Sequence, residues 1–260
     1  MSVNATVGFI GTGGIASALA KGFCGSGDFR GKVHVYDLDP KRTEALRESY
    51  PDSVVVAKSN QEVIDAAEFV FPTLLPHILE QVAPSLTFRK ENRVVHIAAG
   101  TKLSKATPWF EPAQSVVRAV PLPFASRRMG PVVLFGDDGK SEHLLSLLGS
   151  VVKVKTEKDL EVLASVTGLM VSYYGLMGEI VKWCTSRDMV FQDALDYTNL
   201  MCEALSQLMR KDCPEDIEHF LMEHITPQGT NELALNMLRE RGAYAPWIEA
   251  LDKIGLRYDV

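Results

Sequence analysis

The turn Gly11-Thr12-Gly13-Gly14-Ile15-Ala16 has small residues at its first, third and sixth positions. It follows the apolar run 5–10 directly and opens a helical pattern that reaches to about residue 23. A strand, a G-x-G-x-x-A turn and a helix in that order suit a pyrophosphate. Gly11 allows the tight turn, Gly13 has no side chain to hold off phosphate, and Ala16 lets the helix pack against a sheet. The helix start offers unpaired N–H groups and a partial positive charge to an anion, with Thr12, Gly14 and Ile15 completing the loop. Asp37 ends the next apolar run, 33–36, where a carboxylate accepts hydrogen bonds from an adenosine ribose. Together these features predict a site for a nicotinamide dinucleotide. Asp37 would repel a 2′-phosphate, which favours NADH slightly over NADPH. Lys41 and Arg42 stand close enough in sequence to soften that preference.

A second candidate is Thr226-Pro227-Gln228-Gly229-Thr230-Asn231, which immediately precedes a helical pattern. Gly229 reads as a position needing an unusual backbone angle. Backbone N–H groups with the side chains of Thr230 and Asn231 could receive a substrate carboxylate at the helix start. An ordinary capped helix accounts for the same residues. Ser172 could bond substrate or cofactor, or could be a back-bonded helical serine. Tyr173 and Tyr174 could line a pocket or a subunit interface, or lie in a core. His96 follows a buried strand and reads as structural. His219 and Glu223, four apart, read as a surface pair. No H-E-x-x-H motif or Ser/His/Asp order is present, and no metal site is expected.

The elements that position these residues follow from periodicity. Short β-rich runs at 5–10, 33–36, 54–56, 69–71, 93–97, 115–120, 132–135 and 151–154 alternate with helical stretches, including 40–50 and a helix from Gln61 capped by Asn60. That alternation predicts βαβ units and a mainly parallel sheet, hence an α/β Rossmann-type domain over 1–156. Beyond it, apolar residues from Leu160 to Cys184 recur at intervals of three and four, which predicts one long amphipathic helix over 158–186. Further helices are expected over 191–211, 214–225, 230–241 and 245–255. The region 157–260 therefore reads as an all-helical domain for dimerisation and substrate binding.

The chain has 260 residues and a net charge of −6, with no basic stripe, which argues against a nucleic-acid partner. Its four cysteines, at 24, 184, 202 and 213, make no C-x-x-C and read as reduced thiols. No secretory signal and no membrane-spanning apolar run is evident, so a cytoplasmic location is expected. The wide apolar surface of the 158–186 helix, including Leu169, Tyr174 and Trp183, predicts a homodimer or higher homo-oligomer.

Several blocks, in order, resemble the pyrroline-5-carboxylate reductase family: VGFIGTGGIASAL at 7–19, SNQEVIDAAEFVF at 59–71, LLPHIL at 74–79, HIAAG at 96–100, RAVPLP at 118–123, SVTGL at 165–169 and TPQGTNELALNML at 226–238. The resemblance implies a Rossmann domain followed by a helical dimerisation domain. It implies NAD(P)H-dependent reduction of a small cyclic imino acid, in proline biosynthesis for the parent reaction. By position, Gly11, Thr12, Gly13 and Ile15 resemble the phosphate loop, and Asn60 the polar residue on the adenosine side. Leu74 and Pro76 stand in the cofactor-side Val-Lys-Pro block, from which the lysine is missing. Ala98, Ala99 and Gly100 resemble the backbone beside the nicotinamide ribose. Val120, Thr230 and Asn231 resemble the substrate wall, joined by Ser172, Thr226 and Gly229. Segments 120–124 and 170–176 depart from the family pattern, and Asn231 replaces a threonine. Two alternatives stand beside this reading. One is a related two-domain dehydrogenase acting on a hydroxy acid or another imine. The other is a non-catalytic dinucleotide-sensing homologue.

Overall fold

Residues 2–258 and 260 are described by a computed structural model of the chain. It divides into two compact units, one ending at Ala164 and the other starting at Ser165. The sequence places the domain boundary at the start of the helix over 157–166, whereas the compact units part within that helix.

In the first unit the β-rich runs form β1 (Val7–Ile10), β2 (Val33–Tyr36), β3 (Val54–Val56), β4 (Phe69–Pro72), β5 (Arg93–His96), β6 (Ser115–Val120), β7 (Pro131–Phe135) and β8 (Ser150–Lys153). They make one sheet in the order β3-β2-β1-β4-β5-β6-β7-β8. All neighbours are parallel except β6 and β7. Chain order reverses between β1 and β4, which creates a crevice outside their carboxyl ends.

The central strands β1, β4 and β5 are buried on both faces, as apolar parallel strands covered by helices are. On one face Phe9, Phe71 and Phe23 form an aromatic cluster, with the Phe9 and Phe71 rings 5.0 Å apart. On the other, Ile10, Val70 and Val94 pack with Ile64, Leu79 and Phe110. The covering helices are α1 (Gly14–Cys24), α2 (Pro40–Ser49), α3 (Asn60–Ala66), α4 (Pro76–Val82), the single turn α5 (Leu103–Ala106), α6 (Gly139–Leu145) and the start of α7 (Glu157–Val166). Ser59, not Asn60, caps α3: its hydroxyl accepts the Glu62 N–H, and Asn60 is already helical. Glu62 in turn accepts the Lys58 N–H, so the two residues satisfy each other's neighbouring amides.

The expected single helix over 158–186 is interrupted. A 3-10 turn, Thr167–Leu169, separates α7 from α8 (Met170–Thr185). Gly168 lies in that turn, and a β-carbon there would fall 2.7 Å from the Ile254 side chain. Taken through the turn, Glu157–Thr185 is one helical stretch long and apolar enough in composition to cross a membrane. The second unit continues with α9 (Phe191–Asp212), α10 (Ile217–Glu223), α11 (Thr230–Glu240) and α12 (Ala245–Gly255). Its core is sparse. Among the described residues α8 and α9 bury only Met177, Val181, Ala194 and Thr198, and α10 and α11 bury none.

Candidate functional site

The glycine turn sits at the switch point. Gly11 has φ of +90°, a conformation that disfavours any other residue, and a β-carbon there would meet Leu74. Gly13 precedes α1 in extended backbone, and a β-carbon on it would meet nothing within 4 Å. No side chain caps α1, and no acidic residue occupies its first turn. The helix start therefore faces open space with unpaired N–H groups, as an anion site requires.

Thr12 is turned the other way. It is buried, and both its N–H and its hydroxyl donate to Asp37 Oδ2, at 2.7 and 3.1 Å. The Asp39 N–H donates to Asp37 Oδ1 at 2.9 Å. Asp37 thus holds the glycine loop in shape and is not free to serve a ribose alone. Burial opposes its ionisation, but the amides of Asp39 and Thr12, the Thr12 hydroxyl and nearby Arg42 outweigh it, so the carboxyl titrates below its usual range. Arg42 Nη1 lies 3.9 Å from Asp37 Oδ2.

Around the turn lies a mainly apolar cavity of about 680 Å³, within the size range of ligand pockets. It gathers Gly11, Gly13, Gly14, Ile15, Asp37, Asn60, Leu74, Pro76, Ala98 and Ala99 from the sequence reading. Thr12 lies behind it and Gly100 forms the next bend, with φ of +70°. Arg42, named in the sequence reading as a counterweight to Asp37, also lines it; sequence reasoning missed Leu38, Thr73, Leu75 and Ile97. Their signal was positional: each adjoins a strand end already assigned to the site. Thr73 closes the loop from below by donating to the Ile10 and Gly11 carbonyls.

The segment after β5 is pinned from beneath. His96 is fully buried, and its Nε2 donates to the Thr101 carbonyl at 3.0 Å. Burial pushes the His96 imidazole down to about 4, and Arg118 nearby adds to this, against the Thr101 bond and the Glu157 charge. Its value unfolded is 6.5, so below that pH the unfolded chain takes up a proton that the folded chain refuses. Stability contributed by neutral His96 is present above pH 6.5 and drains away down to about pH 4, by about 3 kcal/mol in all. Thermal unfolding of His96→Gln should show a shallower loss over that interval than the native chain; an identical pH profile would contradict this assignment.

The second candidate loop lies wholly in the helical unit. The unusual angle belongs to Gln228, with φ of +62°, and not to Gly229, whose φ is −84°. Gly229 is needed for space, since a β-carbon would lie 2.8 Å from the Thr226 carbonyl. Gly229 caps α11 without a side chain, and Glu232 turns back to accept the Gln228 N–H at 2.6 Å. Thr230 is exposed, and Asn231 Nδ2 reaches the His224 carbonyl at 3.4 Å. Thr226 and Ser172 are exposed, while Val120 ends β6 half-buried in the other unit. His219 and Glu223 are an exposed pair 3.4 Å apart.

A doubly wound sheet, an uncapped glycine turn at its switch point and a separate helical unit define a Rossmann-type fold with an open anion site. Residues 6–100 match a family described as "NADP oxidoreductase coenzyme F420-dependent". Pyrroline-5-carboxylate reductase of Escherichia coli is 31% identical over 118 residues, 44% of this chain and 43% of that protein, so the match spans less than half of the relative's length. The fold is shared from end to end with two solved structures. The 1-pyrroline-5-carboxylate reductase of Streptococcus pyogenes superposes with a TM-score of 0.81 over 99% of both chains at 21% identity. The Plasmodium falciparum pyrroline carboxylate reductase with NADP bound gives 0.82 over 99% and 98% at 14% identity. The chain is thus similar to pyrroline-5-carboxylate reductases over part of its sequence and shares their fold along its length.

Proposed function

We propose that this protein is an NAD(P)H-dependent reductase of a small cyclic imino acid, of the pyrroline-5-carboxylate type. The observation that carries the reading is the pocket at the switch point, where Gly13 leaves room and α1 leaves N–H groups for a pyrophosphate. The dinucleotide, when bound, supplies the hydride. A protonated imine is already electrophilic, so the chain needs to hold it, orient it and exclude water rather than supply a strong base. Ala98, Ala99 and Val120 offer apolar walls at the ends of β5 and β6. Thr230 and Asn231, at the start of α11, are assigned to the substrate carboxylate. Hydroxy-acid oxidation would need a base, and Lys182 is a poor one, being 74% exposed and paired with Glu179 at 2.7 Å.

NADH is favoured slightly, because an anionic Asp37 stands at the pocket wall, with Arg42 beside it as the counterweight. The test is oxidation of NADH and of NADPH against pyrroline-2-carboxylate, pyrroline-5-carboxylate and their six-membered analogues. At least one should be reduced. Losing one hydrogen bond to a charged group costs about 1.5–3 kcal/mol, so Thr230→Ala should lower kcat/KM by roughly one to two orders of magnitude. If none is reduced while the dinucleotide still binds, imine reduction is wrong and the sensing reading replaces it.

The working form is at least a homodimer. The helical unit leaves Val171, Tyr174, Trp183, Phe191, Tyr197 and Leu200 between 59% and 76% exposed. So many large apolar side chains are left exposed, and α8 and α9 have little of their own core to hold them. A second copy of the same helices offers a matching apolar face. Sedimentation at micromolar concentration should give twice the chain mass or a multiple of it; a stable monomer would contradict the assignment.

A further inference from the structure

Between β6 and α7 lies a charge cluster that is largely buried. Arg118 on β6 is 2% exposed, with Nη1 2.7 Å from Glu157 Oε1 and 2.9 Å from Glu161 Oε1. Glu157 and Glu161 stand one turn apart on α7. The same Glu157 oxygen also accepts the Leu103 N–H at 2.8 Å, across 54 residues of sequence. Leu103 opens α5, immediately after the bend Ala98–Thr101, whose other anchor is the His96 bond to the Thr101 carbonyl. One carboxylate therefore ties the segment that forms the Ala98–Ala99 wall to both β6 and α7.

Sheet order says which half of the dinucleotide this wall meets. Asp37 follows β2 and the glycine turn follows β1, while Ala98 follows β5, which lies beyond β4 on the other side of the turn. The adenosine belongs with Asp37, so Ala98 and Ala99 face the nicotinamide half. A buried ion cluster is a poor source of stability, because an apolar replacement of equal volume often does as well. Its placement here accords with a different use.

We propose that Glu157 is a positioning residue for the nicotinamide half of the cofactor, acting through the Leu103 N–H to set the 98–103 segment. This rests on the reading that the pocket takes a nicotinamide dinucleotide. Its test uses the full chain and two ligands, NADH and ADP, titrated by fluorescence and calorimetry. ADP keeps the adenosine and pyrophosphate but lacks the nicotinamide and its ribose. Glu157→Ala should weaken NADH binding about tenfold or more and leave ADP binding within a factor of about two, on the typical worth of a hydrogen bond to a charged group. Glu157→Gln, which keeps an acceptor oxygen, should recover most of the loss.

Leu103→Pro is the second variant. It deletes the donor and leaves the charges in place. Proline is well tolerated at a first helical position, and Lys102 already has the extended backbone that a residue before proline requires. It should reproduce the NADH-selective defect, with the unfolding midpoint lowered by no more than the loss of one hydrogen bond. Equal weakening of both ligands, or native NADH affinity in both Glu157→Ala and Leu103→Pro, would overturn the proposal. A native chain that binds ADP but neither NADH nor NADPH would instead overturn the reading beneath it.

Discussion

Replacing Gly13 with valine should abolish dinucleotide binding and leave the unfolding midpoint close to that of the native chain. The two effects separate because of the local geometry. Gly13 has φ of −62° and ψ of −177°, an extended conformation open to any residue, and its β-carbon direction is empty for 4 Å. The fold has no reason to resist valine. The only occupant that would resist it is a pyrophosphate laid across the start of α1. Gly11 is the useful contrast. Its φ of +90° and the nearness of Leu74 mean that a side chain there strains the fold first, so a loss of binding would be ambiguous. Fluorescence titration with NADH, beside thermal unfolding of the same sample, measures both quantities. Unchanged affinity in Gly13→Val would remove the phosphate loop from the account.

Arg118→Met should produce the largest loss of stability of any single change considered. Among the described residues Arg118 is the largest fully buried side chain, and it faces the carboxylates of Glu157 and Glu161, which are 19% and 5% exposed. Removing the guanidinium leaves one buried and one half-buried carboxylate on the same helix without their cation. Breaking a buried pair from one side typically costs about 3–5 kcal/mol. Urea unfolding of the native chain and of Arg118→Met should differ by about that amount. Arg118→Met with Glu157→Leu and Glu161→Leu should recover much of it, since apolar groups of similar volume replace such clusters at little cost. The triple variant should still bind NADH weakly, because the Leu103 N–H has lost its acceptor. A difference near zero for Arg118→Met alone would show that water or rearrangement already relieves the charges.

These two residues mark what can and cannot be seen before the structure. The glycine turn, the eight strands and the helical second unit are local patterns: period two or continuous apolar runs for strands, intervals of three and four for helices, small residues where a turn must be tight. Local patterns do not disclose partners. Asp37 reads naturally as a ribose acceptor, yet its nearer duty is to Thr12, 25 residues earlier in sequence. The role of Glu157 depends on Leu103 and Arg118, which only the sheet brings to it. At α3 the signal was present but shared: Ser59 and Asn60 are both good caps, and the Ser59-to-Glu62 spacing marks the first as the true one. At the 226–231 loop, Gly229 suggested an unusual angle that Gln228 in fact adopts, because crowding by the Thr226 carbonyl, invisible in sequence, is what requires the glycine. The break at Thr167–Leu169 was hidden for the same reason, since the contact of Gly168 with Ile254 spans most of the helical unit.

The central claim is that hydride passes from a nicotinamide ring held by this chain to the carbon of a cyclic imine. The most direct measurement uses NADH dideuterated at C4, enzyme in stoichiometric amount, and the panel of five- and six-membered cyclic imino acids, with products read by mass spectrometry. The account predicts a saturated cyclic amino acid one mass unit heavier than the product formed with ordinary NADH, with the deuterium on the former imine carbon. Bound cofactor with no labelled product from any member of the panel would contradict it.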